Sequence, residues 1–310
     1  MGLHRLRVRT DAGSTQLSDD IEKENMMSVW MITGAARGLG LEIARAAIAA
    51  GEQVAVTARR PQMLPSDVAE HPDVLAVRLD VTDPAQIDAA VGSVVERFGT
   101  IDVLVNNAGR GLLGALEEIT DAEGRSLFDV NVFGLINTTR AVLPVMREAG
   151  HGKLVHIGSR AGFEGEPGVS LYSASKFAVA GISESLAIEL APFGIQSMVV
   201  EPGVFRTDFL DPSSLQLPAN LLADYDGTPA HATLQWADDA NHAQAGDPVK
   251  GGVLIHRVAA AERLPLHLPV GQDAIDRRAV MTERLQRELE PFRAASAATA
   301  ADDHVAGVAQ

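Results

Sequence analysis

The 310-residue sequence contains no cysteine, which excludes a disulfide-stapled scaffold, a zinc-thiolate module and any enzyme that works through a thiol. Positive charge is scarce too: 26 lysines and arginines stand against 41 acidic residues, for a net charge of -15. Nucleic-acid binding needs clustered cations to neutralise phosphates, so that class of partner is excluded and acidic partners are disfavoured. Lysine occurs only at Lys23, Lys153, Lys176 and Lys250. No apolar run approaches the roughly eighteen residues of a membrane helix, and the polar N-terminus, residues 1–25, holds no signal-peptide core. A cytoplasmic protein without membrane contact is expected, and the lack of cysteine fits a reducing compartment. None of the nine histidines stands at a metal-ligand spacing from another histidine or a carboxylate, so no metal is expected.

What is present is an alternation of two periods. Short runs rich in Val and Ile at 29–33, 53–57, 74–78, 101–105, 153–157 and 196–200 read as strands. Each is apolar throughout, as strands covered on both faces are, and the helical patterns at 39–50, 84–98, 122–148 and 171–190 are long enough to be crossovers. The expected fold is α/β, a doubly wound parallel sheet of about seven strands. One domain of this size buries an ample core, so two are not required. Residues 205–246 are too long for a tight connection and too apolar for a linker, and are expected to form a lid over the strand ends. Helical patterns follow at 248–262 and 274–292. Residues 1–27 and 293–310 are expected to be disordered extensions flanking a single domain over 28–292.

The first strand runs into Gly34-Ala35-Ala36-Arg37-Gly38-Leu39-Gly40 and then a helix. Glycines in that context allow a tight turn and let a pyrophosphate approach the open amides of a helix N-terminus, so a dinucleotide is the expected ligand. An NAD site usually has an acidic residue at the end of the second strand for the ribose hydroxyls. Here the sequence reads Ala58-Arg59-Arg60. Arg59, with Arg37 from the glycine turn, suits a 2′-phosphate, so NADP(H) is expected in preference to NAD(H).

Tyr172 and Lys176 fall at i and i+4 on one helix face, where an ammonium can lower the pKa of a phenol toward that of a working acid/base. Ser159 lies just past a strand end and can bond a substrate oxygen. With Thr33 to Gly40, Asp80, Asn106-Asn107-Ala108-Gly109, Asn131 and Pro202-Gly203 added, the chain over about 28–209 resembles the short-chain dehydrogenase/reductase family in its shorter single-domain form. The resemblance implies roles for the matching positions. Tyr172 would give or take the proton, Lys176 would lower its pKa and bind the nicotinamide ribose, Ser159 would orient the carbonyl, and Asn131 would hold a relay water. Asp80 with Val81 would meet the adenine, Asn106 would steady the sheet beside the adenosine, and Thr207 after Pro202-Gly203 would bind the carboxamide. It also implies a homodimer or homotetramer built on helices 122–148 and 171–190, the former kinked at Pro144.

Hydride transfer between NADP(H) and a carbonyl or secondary alcohol is the leading expectation. An NADP-binding redox sensor or scaffold without turnover is the alternative, and a sugar-nucleotide epimerase or dehydratase is disfavoured by the glycine spacing. Residues 109–116, 161–169 and 205–222 are expected to line the substrate pocket, their Gly, Leu, Val and Phe suiting a small or lipophilic ketone.

Overall fold

The computed structural model describes residues 27–301. Nine strands occur among them: β1 (Val29–Ile32), β2 (Gln53–Ala58), β3 (Val74–Arg78), β4 (Val103–Asn106), β5 (Gly111–Leu112), β6 (Gly152–Ile157), β7 (Ile195–Pro202), β8 (Leu215–Gln216) and β9 (His267–Val270). Seven form one sheet in the order β3-β2-β1-β4-β6-β7-β9, with every pair parallel. The chain starts in the middle, winds to the β3 edge and then crosses back beyond β1. The crevice between the carboxyl ends of β1 and β4 is therefore the switch point of the sheet, where ligands of such folds bind.

Apolar residues cover both faces. Trp30 and Ile32 of β1 pack with Val54, Val103, Val155 and Met198 under α1 (Gly38–Ala49), while their neighbours Val29 and Met31 pack with Leu104 and Leu154 on the opposite face. After α2 (Ser66–Ala69), α3 (Pro84–Phe98) covers the second face. Its start is set locally: the Asp83 carboxylate accepts from Ala85 N and Gln86 N, and Pro84 occupies the first turn, where no amide partner is needed. Gly99, at φ 86°, ends it in the left-handed conformation that favours glycine.

The helix expected over 122–148 is in fact three pieces. α4 (Asp121–Phe128) passes through a π-helical stretch, Asp129–Gly134, into α5 (Leu135–Ala149), which continues through Pro144. α6 (Ser170–Glu189) follows β6. Residues 205–246, the expected lid, contain β8 and α7 (Pro229–Ala240), and β8 pairs with β5 in a separate two-stranded sheet. The ends of that segment meet: Arg206 N donates to Gly246 O at 2.8 Å and Gly246 N to Val204 O at 3.0 Å. Beyond it come α8 (Pro248–Ala260), α9 (Gln272–Leu289) and α10 (Arg293–Ala297).

The expected sheet of about seven strands is present, and one expectation, for the C-terminal tail, is corrected. The seventh strand, β9, is not signalled by an apolar run, because Pro265 and Pro269 interrupt it; an edge strand tolerates a residue without an amide proton. The disordered tail expected from residue 293 begins instead with α10, a short and fully exposed helix. Residues 1–26 and 302–310 of the two expected extensions lie outside the described residues.

Candidate active site

A single cavity of about 1080 Å³ runs along the carboxyl ends of the strands beneath the lid. One end is shaped by the glycine turn. Gly34 and Gly38 adopt φ of 65° and 58°, and a Cβ on Gly34 would lie 2.8 Å from Ala108 Cα, so the turn can close on the end of β4 only as glycine. The Thr33 hydroxyl joins the same two strand ends, accepting from Asn107 N and Ala108 N, both at 3.0 Å. Gly34, Arg37, Gly38 and Leu39 line the cavity. Gly40 does not: it leaves room for the Asn107 amide, which donates to Thr33 O at 2.9 Å and Gly34 O at 3.1 Å. No side chain caps α1, so its first amides stay open toward the cavity.

Arg59 lies exposed on the wall and makes no hydrogen bond or ion pair among the described residues. Arg37 is placed differently from the expectation. Its guanidinium reaches into the lid, donating to Ser213 Oγ at 2.5 Å, Ser213 O at 3.0 Å and Ser214 Oγ at 2.6 Å. Asp80 and Val81 line the same end, with Asp80 Oδ1 accepting from Thr82 N and Oγ1. Asn106, expected to steady the sheet beside the adenosine, lies off the cavity wall. It turns away from the cavity into the core, where Nδ2 donates to Thr139 Oγ1 at 3.0 Å and faces His156 Nδ1 at 3.2 Å. A strand-end side chain on the covered face must find its partner inside the sheet-helix layer.

Beyond the glycine turn Ser159, Tyr172, Lys176, Pro202 and Gly203 share the wall, and Thr207 stands against the turn itself, its Cβ 3.5 Å from where a Cβ on Gly38 would lie. The Tyr172 ring packs on Phe209 of the lid, centroids 5.8 Å apart, with Lys176 Nζ 5.8 Å from its centre. Lys176 Nζ donates to Ile157 O at 2.8 Å, and burial pushes its ammonium down to about 8. Burial pushes the Tyr172 phenol up to about 12, against the lowering effects of a hydrogen bond with Ser159 and the charge of Arg160. The direction is opposite to the expected lowering by Lys176: desolvation dominates, and the phenol is held protonated, as a donor, near neutral pH. Asn131 sits in the π-helical stretch, a place where such irregularity often serves function. Its Oδ1 accepts from Arg110 N at 2.9 Å, and its Nδ2 donates to Arg110 O at 3.0 Å and Ser175 Oγ at 3.2 Å. Asn131 thus stands one layer behind the wall, against Gly109 and near Lys176.

All three segments expected to line the substrate pocket contribute to the cavity. Arg160, Trp236 and Gln244 also line it, though they fall outside those segments. Adjacency to Ser159 was a usable signal for Arg160; nothing local marks the other two.

The profile of the short chain dehydrogenase family matches residues 28–217. The chain belongs to the short-chain dehydrogenase family. It is 38% identical over 277 residues to oxidoreductase BOA17 of Botryotinia fuckeliana, covering 89% of this chain and 100% of that one. A short-chain dehydrogenase from Streptomyces avermitilis superposes with a TM-score of 0.81 at 42% identity, covering 89% of this chain and 100% of the other. A gluconate 5-dehydrogenase from Burkholderia cenocepacia, solved with NADP and tartrate, superposes with a TM-score of 0.66 at 25% identity, over 80% and 95% of the two chains. This short-chain dehydrogenase is therefore an oxidoreductase acting on CH-OH or C=O groups. No helix among its described residues is long and apolar enough to cross a membrane.

Proposed function

We propose that the chain transfers hydride between NADP(H) and a lipophilic carbonyl or secondary alcohol, with Tyr172 as the acid/base. One observation carries the reading: Ser159, Tyr172 and Lys176 gather at one end of a cavity whose other end has an unpaired arginine, Arg59, and no carboxylate at the end of β2. The cradle fits a dinucleotide. Gly34 and Gly38 keep the turn free of side chains, the open N-terminus of α1 accepts a pyrophosphate, and Arg59 is available to a 2′-phosphate. Asp80 and Val81 would flank the adenine, while Pro202, Gly203 and Thr207 would hold the nicotinamide end.

The cofactor, when bound, supplies or accepts the hydride at the carbonyl carbon. In reduction, the Tyr172 hydroxyl donates its proton to the carbonyl oxygen, and the Ser159 hydroxyl holds that oxygen in place. Lys176, released from Ile157 O, would bind the ribose and favour the phenolate left behind, and Asn131 would steady the relay that reprotonates it. Leu113, Val169, Leu210 and Leu215 cluster with Tyr172 on the substrate side, which supports an apolar substrate body. Exposed Phe133, Phe177 and Ile188, on the π-helical stretch and α6, support assembly into a homodimer or homotetramer.

Tyr172→Phe tests the reading. Turnover of a ketone panel with NADPH should fall by about 10²- to 10⁴-fold, the usual contribution of a positioned acid, with NADPH affinity retained. Undiminished turnover would overturn the assignment. A chain that perturbs NADPH fluorescence without consuming it would be a sensor instead.

A further inference from the structure

Arg160 follows Ser159 directly and belongs to the helical turn Arg160–Gly162 that Ser159 caps, its Oγ accepting from Ala161 N at 3.1 Å. That turn lies on α6 at the catalytic lysine: a Cβ on Gly162 would stand 2.9 Å from Lys176 O. The Arg160 side chain therefore starts from backbone fixed against the Tyr172–Lys176 turn, and it lines the same cavity. Its side chain is only 21% exposed and its guanidinium is held from two sides, NH2 at 3.2 Å from Glu166 and NH1 at 3.6 Å from Asp273. Glu166, also on the cavity wall, is shared with Arg277 at 3.3 Å, and Arg277 in turn reaches Glu164 at 2.8 Å. The result is an alternating chain of charge, Glu164, Arg277, Glu166, Arg160 and Asp273, of which Arg160 and Glu166 share the cavity wall with Tyr172.

We propose that Arg160 is a positioning residue for the proton transfer: clamped by Glu166 and Asp273, it places a second cation besides Lys176 where it stabilises the Tyr172 phenolate, and Glu166 sets how much of that charge the phenol feels. The proposal rests on the reading of Tyr172 as the acid/base. The shifts of the phenol agree in sign, Arg160 lowering and Glu166 raising it. Lys176, on the same helix, places its Nζ 5.8 Å from the centre of the Tyr172 ring, and Asp208 on the lid and Arg110 beyond β4 are further charged groups on the cavity wall. In a site shielded from water, charges at such range act more strongly than they would on the surface.

The test is the pH profile of kcat/KM for alcohol oxidation, where the phenolate is the base. Arg160→Gln should move the limb for Tyr172 to higher pH by about half a unit to one unit, and Glu166→Gln should move it to lower pH by a similar amount. Arg160→Lys, which restores the charge, should return the limb toward that of the parent. A purely structural role would lower kcat or melting temperature without opposite displacements. Limbs that stay fixed in both variants, or move the same way, would overturn the proposal. Failure of the underlying reading is detected separately, by Tyr172→Phe retaining turnover.

Discussion

The sheet and the lid bury their chains by different means. Trp30, Ile32, Val54, Leu104, Leu154 and Met198 are wholly buried between helices on both faces. The lid leaves Leu217, Leu221 and Trp236 exposed, and it adds polar contacts to a small apolar cluster in which Leu210, Leu215 and Ala237 meet Leu113 and Val169. Arg37 grips Ser213 and Ser214; Asn241 Nδ2 and His242 Nε2 both reach Asp211 Oδ1, at 2.7 and 3.0 Å; and the buried Glu118 carboxylate accepts from Leu222 N at 2.8 Å and faces His231 Nε2 at 2.7 Å. Close-packed apolar contacts resist displacement, whereas hydrogen bonds among polar side chains near the surface exchange more readily with water or ligand. The frame thus fixes Ser159 and the Tyr172–Lys176 pair, and the lid is where a ligand or proton is expected to act most easily.

The largest break in that contrast is expected in the core. Leu154→Ala on β6 removes a fully buried side chain and should cost about 2 to 5 kcal/mol of stability. Leu221→Ala, on an exposed lid residue, should change it by less than about 0.5 kcal/mol. Denaturant unfolding of the two variants checks this, and comparable losses would show that the lid belongs to the cooperative core.

The same contrast explains what was legible in the sequence. Strands covered on both faces leave continuous apolar runs, so six of the seven were visible, and the turn from Gly34 to Gly40 announced itself because glycine is locally required. The remainder depends on partners distant in sequence. The π-helical stretch exists where Asn131 reaches Arg110 and Ser175, and no helical period encodes an extra residue in a turn. Asn106 turns inward because Thr139 and His156 await it. Arg37 meets lid serines more than 170 positions away. Asp208, Asp211 and His242, whose ligand atoms lie within 4.8 Å of one another, come together only once the lid has folded.

Cofactor choice sharpens the comparison at the point where rigid frame and mobile side chains meet. Ala58 is buried at the end of β2, while Arg59 is exposed just beyond it. Ala58→Asp with Arg59→Ile should turn a preference for NADPH of at least about tenfold into a preference for NADH, since charge-assisted hydrogen bonds of about 1.5 to 3 kcal/mol are lost and a repulsive carboxylate is gained. The ratio of kcat/KM for the two cofactors decides it. A parent that prefers NADH would mean Arg59 serves only the surface.

The smallest effect belongs to the lid latch. His231 sits between Glu118 Oε1 at 2.7 Å and Asp226 Oδ1 at 3.2 Å, and the hydrogen bond to Glu118 holds its imidazole above the usual range. Burial opposes ionisation of Glu118, but the Leu222 amide and His231 outweigh it and keep that carboxyl below its usual range. A raised histidine contributes fully below its unfolded pKa, near 6.5, and its contribution is lost as pH rises through the higher folded value. A lowered carboxyl contributes above its own unfolded value and loses that contribution only in acid. The latch is therefore tightest in mildly acidic solution and loosens as pH rises through the raised value of His231. Substrate KM should rise by about two- to threefold across that window, and proteolytic cleavage within 217–228 should speed up with it. His231→Gln keeps a donor toward Glu118 but cannot titrate, so it should flatten both dependences while leaving NADPH affinity alone. A variant whose KM and cleavage rate still follow pH as in the parent would show that the lid is closed by its apolar contacts and not by this histidine.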